Sequence, residues 1–261
     1  MAVPTYAVRV VELGKRYEIG VRRASGRLYD KLGSTVGGLA GRPREGKAPH
    51  TIWALRDVTF DVPRGHVMGI IGRNGSGKST LMKLLARVTA PTEGRAEVFG
   101  RVGALLQVGA GFHPELTGRD NIALSGAILG MSRAEIRALE DRIVDFSEIE
   151  EFIDTPVKHY SSGMFLRLAF SVSSHLAAEV MLIDEVLAVG DAAFQEKCRQ
   201  RIQTIVGEGR TVLLVTHSMG SIRSICHSAL VLDSGHVRFI GQPDEAVAFY
   251  ENEILHAHSS E

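Results

Sequence analysis

The sequence predicts an α/β fold with apolar strands buried in its core. Three short apolar runs rich in β-branched residues support this prediction, at residues 66–72, 180–185 and 211–217. The first run is followed by a glycine-rich turn and then by a segment with helical spacing at 79–88. A strand, a glycine-rich turn and a helix in this order open a phosphate-binding α/β unit.

The remaining elements are predicted from periodicity and capping signals. Thr117 with Asp120, and Ser132 with Glu135, have the spacing of capping boxes and predict two helix starts. The last dozen residues are predicted to form a polar tail, in which His256 and His258 belong to a frayed terminus. Further strands are predicted at 3–13 and 52–62, further helices at 163–176 and 192–206, and a hairpin at 229–241 that turns at Ser234 and Gly235.

Composition excludes several classes of protein. The chain has 261 residues, enough for one large domain. Its 30 basic and 30 acidic residues give no net charge, so no nucleic-acid partner is expected. Two cysteines are too few for a disulfide scaffold and suit a reducing compartment. Neither a signal peptide nor an apolar run of about 18 residues is present, so we expect a soluble, intracellular chain that reaches a membrane only through a partner.

The glycine-rich turn contains a complete phosphate-loop motif, G-x-x-x-x-G-K-[ST]. It reads Gly72, Arg73, Asn74, Gly75, Ser76, Gly77, Lys78 and Ser79. Glycines let a polyphosphate lie against backbone N–H groups, and the following helix points its N-terminal dipole at the anion. Lys78 supplies a positive charge for the β- and γ-phosphates, and Ser79 offers a hydroxyl to Mg²⁺.

Four further residues help to decide among GTPases, kinases and ATPases. Asp184 and Glu185 end a buried strand, where the first carboxylate suits Mg²⁺ and the second can deprotonate an attacking water. His217 ends the next strand and can reach the γ-phosphate, while Gln107 follows an apolar stretch and can coordinate Mg²⁺. A GTPase would also need an N-K-x-D base-reading motif, which the sequence lacks.

A fifth motif identifies a family resemblance. Tyr160, Ser161, Ser162, Gly163 and Met164 precede Asp184 and open a helix. With Gln107, Asp184, Glu185, Asp191 and His217 in this order, the chain resembles the ATP-binding subunit of an ABC transporter over residues 3–250. The usual signature of that family is L-S-G-G-Q, so only Ser161 and Gly163 match it. Of the usual S-A-L-D motif, Asp191 alone carries over with certainty.

The departures resemble one subfamily, the exporters of lipid-linked O-antigen, teichoic acid, capsule or galactan. The Y-S-S-G-M signature, the stretch Thr117–Asn121 and the phrase at 187–191 are similar to it. Tyr17 precedes Gly72 by 55 residues, about 30 more than usual in the family, and the excess is a basic insert at about 18–50. Residues 14–50 hold nine basic and three acidic residues, which predicts a surface for lipid phosphates or the carrier's pyrophosphate, with a solvated loop as the alternative. Arg22, Arg23, Arg27 and Lys31 are the candidates for that contact.

The resemblance implies a mixed sheet core with an antiparallel β subdomain and a helical subdomain at about 112–175, followed by a short tail at 251–261. No C-terminal carbohydrate-binding domain is expected, because the sequence stops near residue 261. The implied partners are a second copy of the chain, an integral-membrane permease dimer and, through the permease, a lipid-linked glycan. The implied location is peripheral, at the cytoplasmic face of the bacterial inner membrane. Gly111–Glu115 would touch the permease.

The resemblance also implies the roles of the site residues, with ATP and Mg²⁺ as cofactors. Adenine would stack on Tyr17, with Trp53 as the alternative. Mg²⁺ would be held by Ser79, Gln107 and Asp184, and the catalytic residues would be Glu185, His217, Lys78 and Gln107. The other nucleotide contacts would be Gly72, Arg73, Asn74, Gly75, Ser76, Gly77, Thr80, Ser162, Met164 and Asp191, with Ser161 and Gly163 supplied across a two-fold interface.

Two other functions compete with export of a glycan. A soluble ABC ATPase of DNA repair would separate the phosphate loop and signature by long coiled coils, whereas Lys78 and Ser161 are 83 residues apart. A translation ATPase would carry two such units. A transporter of another class, such as an importer or a lipid pump, would have a signature closer to L-S-G-G-Q and no basic insert.

Overall fold

The computed structural model describes residues 5–19, 50–105, 111–175, 178–184 and 191–255. The predictions for Gln107, Glu185, the terminal histidines and most of the basic insert, including Arg22, Arg23, Arg27 and Lys31, concern residues outside these ranges. Across the described part of the chain, no helix is both long enough and apolar enough to span a bilayer.

Strands and helices alternate through most of the described chain. The strands are β1 (Tyr6–Ile19), β2 (His50–Pro63), β3 (Val67–Ile71), β4 (Glu93–Val98), β5 (Val102–Leu105), β6 (Val180–Asp184), β7 (Thr211–Val215), β8 (Ser228–Asp233) and β9 (His236–Gly241). The helices are α1 (Lys78–Leu85), α2 (Gly118–Ile128), α3 (Arg133–Ser147), α4 (Ser162–Ser174), α5 (Ala192–Gly207), α6 (Met219–Ile225) and α7 (Pro243–Phe249). Short 3₁₀ turns at Glu150–Phe152 and Val157–His159 precede α4, and a π-helical turn at Tyr250–Leu255 follows α7.

The main sheet has six strands in the order β5-β6-β7-β3-β8-β9. All neighbouring pairs are parallel except β8 and β9, which form the predicted antiparallel hairpin. Strands β3 and β7 are buried along their whole length, as expected of apolar strands covered by helices on both faces. The predicted α/β class with a mixed sheet is therefore confirmed.

A second sheet, of three antiparallel strands in the order β2-β1-β4, packs against α1. Strand β1 continues to Ile19, where it pairs with His50, so the predicted end at residue 13 is wrong. The cause is a series of register shifts between Val10 and Arg16, which break the side-chain alternation while backbone pairing continues. Near its C-terminal end, β1 places Tyr17 opposite Ile52 of β2.

The helical part is formed by α2, α3 and α4 around an apolar cluster that includes Ile122, Ile143 and Leu168. Both predicted capping boxes are present. Thr117 caps α2 reciprocally with Asp120, and Ser132 caps α3 reciprocally with Glu135.

The C-terminal segment differs from the prediction. The expected polar tail begins at 251, but the chain stays helical through Leu255 because Tyr250 and Ile254 pack on an apolar cluster with Ile71 and Val231. The predicted boundary is therefore wrong by five residues. The polar residues between Tyr250 and Ile254 made this segment look like a polar tail, although the two apolar residues have helical spacing.

The fold predicts that two neighbouring alanine substitutions change the free energy of unfolding by different amounts. Ile254→Ala removes a side chain that is 5% exposed and should lower the free energy of unfolding by about 2–4 kcal/mol. Leu255→Ala removes one that is 43% exposed and should change it by about 0.5 kcal/mol or less. Urea denaturation of both variants measures the difference. Equal, small effects would show that the segment is a frayed tail.

Candidate functional site

The phosphate loop joins β3 to α1, and two of its glycines are required by close packing. A Cβ on Gly72 would lie 2.2 Å from the Leu232 carbonyl oxygen, and a Cβ on Gly77 would lie 2.5 Å from the Ala54 carbonyl oxygen. Gly77 also has a φ of +108°, in the left-handed region that favours glycine. The loop is thus free of side chains where it presses on β8 and β2, and its backbone can approach an anion closely.

Lys78 places a buried positive charge inside this loop. Its side chain is nearly enclosed, at 7% exposure, and Nζ donates to the carbonyl oxygens of Gly72 (2.7 Å) and Arg73 (2.9 Å). Because an ammonium group has three donors and strong attraction for anions, this amine can stabilise a phosphate placed at the loop.

Three adjacent strands bring the predicted residues together at one edge of the main sheet. The loop with Lys78 follows β3, Asp184 is the last residue of β6, and His217 follows β7 by two residues. Carboxyl ends of parallel strands meet at the same edge, which is where α/β proteins bind ligands. The resulting cavity, of about 200 Å³, is lined by Ala54, Asn74, Gly75, Gly77, Lys78, Ser79, Thr80, Asp184 and His217.

The donor set in this cavity fits a hard cation that arrives with a nucleotide. Ser79 offers a hydroxyl and Asp184 a carboxylate, the oxygen ligands that Mg²⁺ prefers. Among the described residues, no group of three or more His, Cys, Asp or Glu side chains is arranged to hold a metal ion. A Mg²⁺ ion held by Ser79 and Asp184 would have room for phosphate oxygens and water as further ligands.

Two residues of the loop face a neighbouring cavity instead. Arg73 and Ser76 line a space of about 140 Å³ beside the β8–β9 turn, together with Asp233 and Ser234. The Ser76 hydroxyl is buried, and no described atom forms a hydrogen bond with it. Arg73 and Ser76 thus do not line the cavity that contains Asp184 and His217.

The two aromatic candidates at the end of the β1–β2 pair differ in how much of the ring is covered. The Trp53 ring lies between the guanidinium groups of Arg16 (5.5 Å) and Arg56 (5.6 Å). It also covers Gly14, where a Cβ would approach it to 3.1 Å. Tyr17 keeps 39% of its surface exposed, with the Lys15 amine 5.1 Å from its ring. Tyr17 is therefore the ring that is open to a planar ligand.

The signature residues lie at the N-terminus of α4, outside the phosphate-loop cavity. Ser161 caps this helix, since its Oγ accepts a hydrogen bond from the Met164 N–H at 3.2 Å. Ser162 is exposed, and Ser161 Oγ, at 3.8 Å, is the only atom of the described residues within 4 Å of a Cβ built on Gly163. The helix N-terminus is thus open to an anion from outside this chain.

Tyr160, the first departure from the L-S-G-G-Q pattern, has a packing role. Its hydroxyl donates to the Phe152 carbonyl oxygen at 2.8 Å. A Cβ on Gly118 would lie 2.3 Å from the same hydroxyl, so Gly118 leaves room for the ring. Tyr160 therefore ties the segment before the signature to the 3₁₀ turn at Glu150–Phe152 and packs against the start of α2.

The stretch Thr117–Asn121 was predicted as a capping box and as a family marker, and two more of its side chains form hydrogen bonds in the structure. Arg119 pairs with Glu140 and Asp154. The fully buried Asn121 amide donates to the carbonyl oxygens of His113 (3.1 Å), Leu116 (3.1 Å) and Thr117 (2.8 Å), and accepts from the His113 N–H (2.6 Å). This amide fixes the loop that contains the predicted permease contact, Gly111–Glu115.

Asp191 forms an N-cap that the sequence did not predict. Its Oδ1 accepts from the Phe194 N–H at 2.9 Å at the start of α5, and Oδ2 accepts from Arg167 at 2.8 Å. The candidate nucleotide contact is thus held by two helices within its own chain.

Comparison with known proteins identifies related chains. A family model described as "ABC transporter" matches residues 55–188. The O-antigen export system ATP-binding protein RfbB of Myxococcus xanthus is 48% identical over 81% of this chain, which spans only 48% of that protein's length. The protein of the same name from Klebsiella pneumoniae is 42% identical over 86% of this chain and 92% of its own.

A solved structure agrees with the fold. It is a dimeric ATP-binding cassette in a post-hydrolysis state bound to ADP and Pi, with a TM-score of 0.70 and 22% identity, and the match covers 90% of this chain and 98% of that one. At this identity the likeness shows the fold alone.

Proposed function

Because this chain belongs to the ABC transporter family, we propose that it is an ATP-hydrolysing subunit that powers export of a lipid-linked polysaccharide through a membrane permease. The observation that carries this proposal is the single cavity in which Lys78, Ser79, Asp184 and His217 converge. Such a set matches the requirements of phosphoryl transfer, namely an anion cradle, hard metal ligands and polar groups near the γ-phosphate.

Each site residue has a proposed task in hydrolysis. The Lys78 amine and the loop N–H groups bind the phosphates, and Ser79, Asp184 and Gln107 are the proposed Mg²⁺ ligands. The metal, when bound, neutralises charge on the phosphate oxygens. Glu185 takes a proton from water as the water oxygen attacks the γ-phosphorus and the bond to ADP breaks, while His217 donates to a γ-phosphate oxygen.

A second copy of the chain is proposed to complete each site. The N-terminus of α4 with Ser161 and Gly163 is exposed and does not line the cavity of its own chain. Two copies related by a two-fold axis would place each signature against the other copy's γ-phosphate, where the helix N-terminus favours negative charge. ATP would then close the pair, and hydrolysis would release it.

The proposed cargo follows from the relatives' names and from the subfamily features of the sequence. Both relatives are named as O-antigen export ATP-binding proteins, and the Klebsiella relative is matched over nearly its whole length. The basic excess of residues 14–50 suits anionic lipid or the pyrophosphate of a glycan carrier. We place the chain peripherally at the cytoplasmic face of the inner membrane, bound to a permease dimer.

Two variants separate ATP binding from ATP hydrolysis. Lys78→Ala should weaken ATP binding by about tenfold or more, because a buried ammonium contact to phosphate is lost. Glu185→Gln should keep ATP affinity and lose turnover, because the general base is removed. Isothermal titration calorimetry and phosphate release measure the two quantities.

The same variants test export in the native host. Each should leave lipid-linked glycan inside the inner membrane and remove the polysaccharide from the surface, as a colony immunoblot and lipid extraction would show. Unchanged ATP affinity for Lys78→Ala, or wild-type turnover for Glu185→Gln, would contradict the ATPase assignment. Normal surface polysaccharide with both variants would contradict the cargo.

The adenine platform can be tested with the two neighbouring aromatic residues. Tyr17→Ala should weaken ATP binding by about 5- to 100-fold through loss of stacking, and Tyr17→Phe should retain most of it. Trp53→Ala should change ATP affinity little, because arginines already cover that ring. Titration with ATP and with inorganic triphosphate separates adenine binding from phosphate binding. A larger loss for Trp53→Ala would reverse the assignment.

A further inference from the structure

Three helices meet at the side chain of Arg167, which lies on α4 one turn after the signature. Its guanidinium donates through Nη1 to Glu148 Oε2 at 2.7 Å and through Nη2 to Asp191 Oδ2 at 2.8 Å. The group lies 4.8 Å from the centre of the Phe194 ring, and the side chain is 19% exposed. Arg167 therefore joins the end of α3 to the start of α5.

Glu148 forms one end of this junction, which we call the Arg167 bridge, comprising Arg167, Glu148, Lys197 and Asp191. Glu148 follows α3 with a φ of +57°, a left-handed conformation that is costly for a residue with a side chain. Its Oε1 accepts from Lys197 Nζ at 2.8 Å, while Oε2 accepts from Arg167. Hydrogen bonds from Lys197, and then the charges of Lys197 and Arg167, lower the pKa of Glu148.

Asp191 forms the other end. Its carboxylate caps α5 and binds Arg167, so both oxygens have donors from this chain. The Phe194 N–H, followed by the charge of Arg167, lowers the pKa of Asp191 and keeps it ionised near neutral pH. The position of Asp191 thus depends on α4, the same helix that Ser161 caps.

Isolated ion pairs on a protein surface contribute little to its stability. Three features of the Arg167 bridge strengthen its hold on the helices that it joins. A planar fork binds two carboxylates from different helices, the guanidinium stacks on an aromatic ring, and most of the side chain is buried. Arg119 provides a comparison, since it also binds two carboxylates, Glu140 and Asp154, but entirely within the helical part.

We infer that Arg167 is a positioning residue that ties Asp191 to the signature helix, so that both reach the second copy's nucleotide as one unit. This inference rests on the proposed function, because it requires sites shared between two copies. Without the bridge, Asp191 and the N-terminus of α4 can move apart, and closing the pair must restore their alignment at a cost in conformational entropy. Nucleotide binding to the phosphate loop of a single chain does not involve the bridge.

The test uses the full-length chain in a Glu185→Gln background, where Mg-ATP should produce a stable dimer. Size-exclusion chromatography with light scattering gives the dimer dissociation constant, and calorimetry gives the ATP affinity. Adding Arg167→Gln should raise the dimer dissociation constant by about tenfold, the effect of losing charge-assisted hydrogen bonds, with ATP affinity unchanged. Adding Arg119→Gln instead should leave both values as in the Glu185→Gln protein.

The variant Asp191→Asn distinguishes a positioning role of Arg167 from a general effect of Arg167 on the stability of the chain. If Arg167 acts through Asp191, adding Arg167→Gln to Asp191→Asn should raise the dimer dissociation constant little further. If the two residues act independently, the effects of the two substitutions on the free energy of dimerisation should add. Arg167→Lys should give an intermediate dissociation constant, because one ammonium group replaces a fork. If Arg167→Gln does not fold, Asp191→Asn alone should still give the shift.

The possible outcomes test the shared nucleotide site and the positioning role of Arg167 separately. A Glu185→Gln protein that stays monomeric with Mg-ATP contradicts the shared site and with it the inference. A Glu185→Gln dimer that is unaffected by Arg167→Gln overturns the inference alone. Equal losses with Arg167→Gln and Arg119→Gln would also overturn it, because they would indicate a common effect on stability.

Discussion

The parallel strands β3, β6 and β7 end at the same edge of the main sheet, and the proposed chemistry depends on that geometry. Residues that are more than 100 positions apart in sequence, such as Lys78 and Asp184, meet there because each follows a buried strand. The strands themselves are fixed by apolar side chains on both faces, which makes register changes costly. Close packing of Gly72 and Gly77 then sets the height of the phosphate loop above this edge.

The proposed site is shared between two copies of the chain. The N-terminus of α4, which is proposed to bind the second copy's γ-phosphate, lies on the helical part and not at the carboxyl edge of the sheet. Backbone hydrogen bonds from the Val157 N–H to the Leu116 carbonyl oxygen (3.0 Å) and from the Lys158 N–H to the Pro114 carbonyl oxygen (3.0 Å) fix the loop before α2 to the lead-in of α4. The Arg167 bridge continues this rigid path from α4 to α5. A site divided between two copies, as proposed, would link the nucleotide to the helical part of the second copy.

Local signals in the sequence predicted the elements whose structure depends on near neighbours. The phosphate loop, the capping boxes at Thr117 and Ser132 and the Ser234-Gly235 turn each depend on spacing over a few residues. Positions set by tertiary contacts were missed. The length of β1 depends on register shifts against β2, the helix through Leu255 depends on burial of Ile254, and the roles of Tyr160 and Asp191 depend on partners distant in sequence.

A complementation assay tests the shared site most directly. One chain carries Lys78→Ala, and the other carries Gly163→Asp, whose carboxylate is tolerated at a helix N-terminus but repels a γ-phosphate. Each variant alone should lack ATPase activity, while a mixture should recover it, since each mixed dimer contains one intact phosphate loop facing one intact signature. A mixture as inactive as its components would contradict the account, because every chain would then hold its complete site alone.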